Sequence, residues 1–204
     1  CVASRGLGDV YKSRHQAATA LRSGECDLAL VGGASLLLAP HVSHCMTQLG
    51  LRSSDALPHP FDAAADGMVP GEGAGMFVLK RLSLAREQGD AIAGVLRGSA
   101  VGNDGRSSSL IAPNGRAQAA VLRSALQQGG LQIDDIEYVE AHAAGSRMGD
   151  AVELSGLASL IDDRSPSRAL AIRSHKAHCG QTEAAAGVLG LLAALLALEH
   201  EQLP

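Results

Sequence analysis

The chain has 204 residues, 46% of them hydrophobic, with a formal net charge of −4. Lys and Arg are scattered rather than clustered, which disfavours nucleic acid as a partner. Only 2% of residues are aromatic and tryptophan is absent, so the core must come from Ala, Leu, Val and Ile packed against the 24 glycines. Val10 to Ser23 has amphipathic spacing and a Ser23-Gly24 stop, and the apolar run Asp27 to Ser35 follows, so a helix feeds a buried strand. Ala39 to Gly73, rich in His, Pro, Gly and Asp, reads as a long ordered excursion with a short helix. Gly75 to Leu82 is expected as a strand, Ser83 to Gln88 as a short helix, and Ile92 to Val101 as a strand completing a hairpin-like pair.

After the turn Pro113-Asn114-Gly115, Arg116 to Gln128 forms a helix with apolar positions at Ala119, Ala120, Leu122 and Leu126, ended by Gly129-Gly130. Ile136 to Ala141 and Ala169 to Ser174 are expected as strands, and Asp150 to Ile161 and Thr182 to His200 as helices. This alternation favours a parallel sheet. The longest apolar run, Ala184 to Leu198, is bounded by Glu183 and Glu199. It falls short of the about 20 residues a spanning helix needs, so it reads as a buried core helix and no membrane is expected. Four cysteines, Cys1, Cys26, Cys45 and Cys179, have no regular spacing, and a cytoplasmic setting without structural disulfides follows as the default. A start at Cys1 and an end directly after the apolar helix read as a piece of a longer polypeptide.

Two stretches sit where a strand turns into a helix: EAHAAGS, Glu140 to Ser146, and SHKAHCGQTEAAAG, Ser174 to Gly187. In an α/β fold such turns converge at the carboxyl ends of the strands, where ligands bind. The pair resembles the two histidine motifs of β-ketoacyl synthases, which read roughly HGTGT and KSNxGHTEAAAG. Further blocks fall in family order: LRSGECDLALVGGAS from Leu21, HPFDAAADGMVPGEGAGMFVLKRL from His59, RGSAVGNDGRSSSLIAPNG from Arg97 and YVEAHAAGSRMGDAVEL from Tyr138. The ketosynthases of modular polyketide synthases are the most similar.

The resemblance implies an α/β thiolase-like fold, layered αβαβα. Residues 1–38 would end its first half, and residues 39–204 would hold the connecting excursion and most of its second. Strands before the nucleophile and a glycine-rich segment after the last helix would then come from other segments of the same domain. It also implies acyl transfer from the phosphopantetheine arm of an acyl carrier protein. Dimerisation, with itself or with another ketosynthase, is expected through the strand Asp27 to Ser35.

Carried over residue by residue, His142 matches the first catalytic histidine, which donates to the developing enolate. Lys176 and Glu183 match a supporting polar pair. Gln181 replaces the second histidine, and an amide cannot carry the charge or shuttle the proton of an imidazole. The two threonines that meet the pantetheine arm become Ala144 and Ser146, so one hydroxyl remains. Counting back without gaps from Cys26, and with His15 on a common family histidine, the nucleophile position falls on Leu7. A gapped register places Cys1 there instead. Condensation should be crippled, leaving three readings: a degenerate scaffold, dimerisation or carrier-docking domain, an acyltransferase working through Cys1, or a non-catalytic partner like the chain-length factors. His175, His178 and Cys179 imitate a zinc cluster, but they align with Val or Ile, Asn, and Ile or Val of an ordinary ketosynthase turn, and no metal is expected. The glycine-rich run Gly67 to Gly75 lacks the ending of a phosphate loop and reads as backbone close-packing.

Overall fold

A computed structural model describes residues 9–105, 113–161 and 169–203 of the chain. Helix α1, Asp9–Ser23, leads into strand β1, Leu28–Ser35, as its periodicity requires. Ala17 and Leu21 of the helix pack on Ala29 and Val31 of the strand, with Cys26 and Leu79 at the margin of the cluster. Strand β2, Gly73–Lys80, runs antiparallel to β1 in a continuous register from Leu28 opposite Lys80 to Ser35 opposite Gly73. Between them lies the excursion, which carries helix α2, Pro40–Gln48, opened by a proline at its first turn.

Helix α3, Leu82–Glu87, follows β2 directly. Residues 92–101, expected as a strand of a hairpin, hold no strand ladder. The antiparallel partner of β2 is β1, so pairing across the excursion takes the place of the local hairpin. Helix α4, Gly115–Gly129, starts at Asn114, whose side chain accepts from the backbone of Arg116 and Ala117, and stops at Gly130 in the left-handed region. Its buried side is marked by Ala119 and Gly129, while Leu122 remains exposed.

Strands β3, Tyr138–Glu140, and β4, Ala171–Arg173, pair in parallel, with Tyr138 opposite Ala171 and Glu140 opposite Arg173. The expected parallel sheet is therefore present. Helix α5, Arg147–Ile161, packs on α4, and the helices approach at Gly115 and Gly156. After β4 come α6, Lys176–Cys179, a 3-10 turn over Glu183–Ala185, and α7, Ala186–His200.

The segment Glu183–His200 is long and apolar enough to cross a membrane by length and composition. Its first turns are nevertheless packed inside the protein: Ala186, Gly187, Val188 and Gly190 are buried, and α7 touches β1, β2 and β3. Only this half is core, because Leu192, Leu196 and Leu198 stand exposed. Helix α7 thereby joins the antiparallel pair to the parallel one.

Candidate functional site

The two motif turns leave the ends of β3 and β4 side by side, since Ala141 N–H donates to the Arg173 carbonyl at 2.7 Å and extends the ladder by one residue. The first turn is held by carboxylates from α5. Glu153 accepts from the backbone N–H of His142 at 2.7 Å and from that of Ala143 at 2.8 Å. Buried Asp150 accepts from Ser146 N–H at 3.2 Å with one oxygen and from Phe61 N–H at 2.9 Å with the other. Charge-assisted bonds of this kind fix backbone that no ladder supports. Ala143 is consequently held at a φ of 25°, and Gly145, at 82°, lies so close to Gly67 that a Cβ would sit 2.8 Å from the Gly67 carbonyl oxygen.

The second turn is built differently. Gly180, at a φ of 71°, reverses the chain, and Gln181 then forms a two-bond bridge with the excursion: its N–H donates to Val69 at 2.7 Å and its carbonyl accepts from Gly71 at 2.9 Å. Gln181 is buried, and its side-chain oxygen has no hydrogen-bond partner. Lys176 is 3% exposed, and its ammonium donates to the backbone carbonyl of His142. The two motifs are thus tied through a main-chain atom.

Lys176 and Glu183 form no direct ion pair. The two side chains expected from the family as a supporting polar pair are therefore not in direct contact, because Lys176 turns back under the first motif. Burial pushes its proton affinity down, opposed by the nearby Glu153, Glu140 and Asp150 carboxylates. Burial pushes Glu183 up, only partly opposed by Lys176 at longer range. Glu183 also holds a left-handed φ of 41°, one of five non-glycine residues at positive φ among the described residues, with Ala56, Phe61, Ala143 and Glu201. Backbone strain of this sort concentrates at functional sites.

An open cleft of about 590 Å³ runs between the turns and the excursion. His142, Ala144, Ser146 and Arg147 line it from the first turn, Gln181 and Glu183 from the second, and Leu51, Asp66 and Met68 from the excursion. The His142 ring is reached from this open side, yet the protein around it strips away enough hydration to lower its pKa to about 4, helped by the Lys176 charge. At neutral pH the imidazole is uncharged. Beside the ionisable Arg147, Asp66 and Glu183, the cleft thus presents an uncharged imidazole, an amide and one hydroxyl, groups that hydrogen-bond a carbonyl or an amide.

The sequence brings His142, Ser146, Gln181 and Glu183 to this cleft and Lys176 beneath it. Cys1 and Leu7, the two registers for the nucleophile, lie outside the described residues. The residues of the imitated zinc cluster do not converge. His175 turns to Glu140, the Cys179 thiol contacts the His175 carbonyl at 3.3 Å, and no group of three or more metal-ligating side chains occurs among the described residues. Burial pushes the Cys179 thiol up, away from nucleophilic use. Sequence reasoning missed Glu153 and the contact of Glu140 with His175. Glu153 stands three residues after Asp150 at the start of α5, a spacing that places both carboxylates on one face.

The profile of the β-ketoacyl synthase C-terminal domain matches residues 93–204, and that of the N-terminal domain matches residues 11–85. The chain belongs to the β-ketoacyl synthase family. Among curated relatives, it is 45% identical over 191 residues to one of the subunits of the phenolphthiocerol/phthiocerol polyketide synthase of Mycobacterium tuberculosis, covering 93% of this chain and 10% of that protein. The ketosynthase from module 6 of the bacillaene synthase of Bacillus subtilis superimposes with a TM-score of 0.92 at 38% identity, over 96% of this chain and 35% of that one. The PfaC keto synthase-chain length factor superimposes with a TM-score of 0.87 at 30% identity, over 93% of this chain and 20% of that one. The chain therefore spans about a tenth of the mycobacterial polyketide synthase protein and about a third of the solved bacillaene ketosynthase. These superpositions establish the thiolase-like fold, of which this ketosynthase chain is a part.

Proposed function

We propose that this chain forms the acyl-site corner of a ketosynthase-like polyketide synthase domain that does not catalyse decarboxylative condensation and serves as a scaffold, dimerisation or carrier-docking element. The observation that carries this reading is Gln181. Its amide replaces the second histidine of the family, its main chain is pinned to Val69 and Gly71, and it lines the same cleft as His142. An amide in that place can hydrogen-bond an acyl carbonyl, or the enolate oxygen formed as carbon dioxide leaves, but it cannot bring to that oxygen the positive charge or the transferable proton of an imidazole. Ala144 removes one hydroxyl expected to meet the phosphopantetheine arm, while Ser146 keeps the other at the cleft.

A role in assembly is supported by the outer face of the antiparallel pair. Leu28, Leu30, Met76 and Val78 alternate onto that face and are each between 44% and 68% exposed. Such a patch calls for cover, either by the segments that complete a ketosynthase domain or by a second copy or partner protein. A cytoplasmic setting, with an acyl carrier protein as partner, belongs to the same reading.

The test is to present acyl and malonyl carrier-protein thioesters to the purified protein and weigh it intact. Carrier binding without covalent acylation is expected. Acylation at Cys1, abolished in Cys1→Ala, would replace this reading with that of a non-elongating acyltransferase. The likeness to a keto synthase-chain length factor supports a further alternative, a non-catalytic partner of an intact ketosynthase. Native mass measurement decides it: a protein that ignores an intact ketosynthase is not such a partner.

A further inference from the structure

His175 has no counterpart in the family motif, where Val or Ile stands, and with Glu140 it makes the most enclosed of the ion-pair contacts among the described residues. Its backbone N–H and its Nδ1 both reach the same oxygen of Glu140, each at 2.7 Å, and the two side chains are 9% and 10% exposed. The Tyr138 hydroxyl donates to the second Glu140 oxygen. A carboxylate only accepts, so Nδ1 donates to it, while Nε2 is buried without a partner. Burial alone would raise the Glu140 carboxyl, but the hydrogen bonds from His175 and Tyr138 outweigh it and hold it ionised. Helix α7 closes the pair from above: a Cβ on Gly190 would lie 3.3 Å from Glu140 Cγ and 3.5 Å from His175 Nδ1.

The places of the two residues give this contact its consequence. Glu140 ends β3 two residues before His142, and His175 immediately precedes Lys176, whose ammonium holds the His142 carbonyl. We propose that Glu140 and His175 form a positioning clasp that sets the spacing of the two motif turns and, through Lys176, the direction in which His142 faces the cleft. A hydrogen bond shielded from water is strong enough to hold such a spacing. The clasp deepens the reading of His142 as a residue that meets the acyl group, and it rests on that reading.

The test follows the His142 ring by NMR titration in the full chain, together with binding of a butyryl-pantetheine thioester. In His175→Val, the side chain of the family, the fold should persist while the His142 midpoint rises by about 1 pH unit, because burial and the Lys176 charge both relax. Thioester binding should weaken several-fold. His175→Asn, whose amide nitrogen occupies the place of Nδ1, should restore both. This pair separates positioning from direct electrostatics, since both variants remove the imidazole. An unmoved His142 in folded His175→Val, or a His175→Asn that behaves like it, overturns the clasp. Should His175→Val fail to fold, Glu140→Met, which keeps the length of the side chain but cannot accept from His175, gives the same reading, and an unmoved His142 there is equally fatal. If the unaltered protein does not bind the thioester, the acyl reading of the cleft fails, while the His142 midpoint still decides the clasp.

Discussion

The Lys176 ammonium donates to the main-chain carbonyl of His142, so the second motif supports the first through the backbone rather than through its neighbour Glu183. Replacing Lys176 by Met leaves that carbonyl without its donor and should cost about 1–3 kcal/mol in a denaturant titration. The same change removes a positive charge that depresses His142, so the His142 midpoint should move upward.

Glu153 accepts two consecutive backbone N–H groups with its two oxygens. Glu153→Gln has a single accepting oxygen and loses the charge on it, so one of the His142 and Ala143 amides is released. A loss of about 1.5–3 kcal/mol is expected, with faster hydrogen exchange at one of those amides. Exchange unchanged at both would contradict the role given to Glu153.

Asp150 joins the first motif to the excursion by accepting from Ser146 and from Phe61. In Asp150→Asn, exchange of the Phe61 amide should quicken while amides of α1 and β1 keep their protection. A uniform loss of protection would instead mark Asp150 as a global stability determinant.

The depressed affinity of His142 gives stability a pH dependence of definite sign. The unfolded chain takes up a proton at this side chain near about 6.5, whereas the folded protein resists until about 4. The contribution is fully present above the first value and is lost as pH falls toward the second. A thermal midpoint that declines over this window in the unaltered protein should decline less in His142→Gln.

Local chemistry made much of the fold legible. Asn114 and Gly130 mark both ends of α4 because capping is written in neighbouring residues, and the apolar run Asp27 to Ser35 reads directly as β1. The pairing of β2 was not legible in the same way. Its partner lies across the whole excursion, and the apolar character of Ile92 to Val101 offered a competing local strand. At the site, the motif spacing located His142 and Gln181, whose places are fixed by the turns. It did not locate the partners of Lys176 and His175, because a long side chain chooses among acceptors by three-dimensional approach. Glu140 could be quoted as part of a motif, but only the parallel register of β3 and β4 brings it against His175.

Gln181 in place of an imidazole should leave this domain without condensing activity, and product formation tests that claim most directly. The purified protein is supplied with an acyl thioester and malonyl carrier protein, and released carbon dioxide and the extended β-ketoacyl product are measured beside an intact ketosynthase. Carrier binding is expected, with neither product above the enzyme-free control. Extended product formed at a rate approaching that of the intact ketosynthase would contradict it.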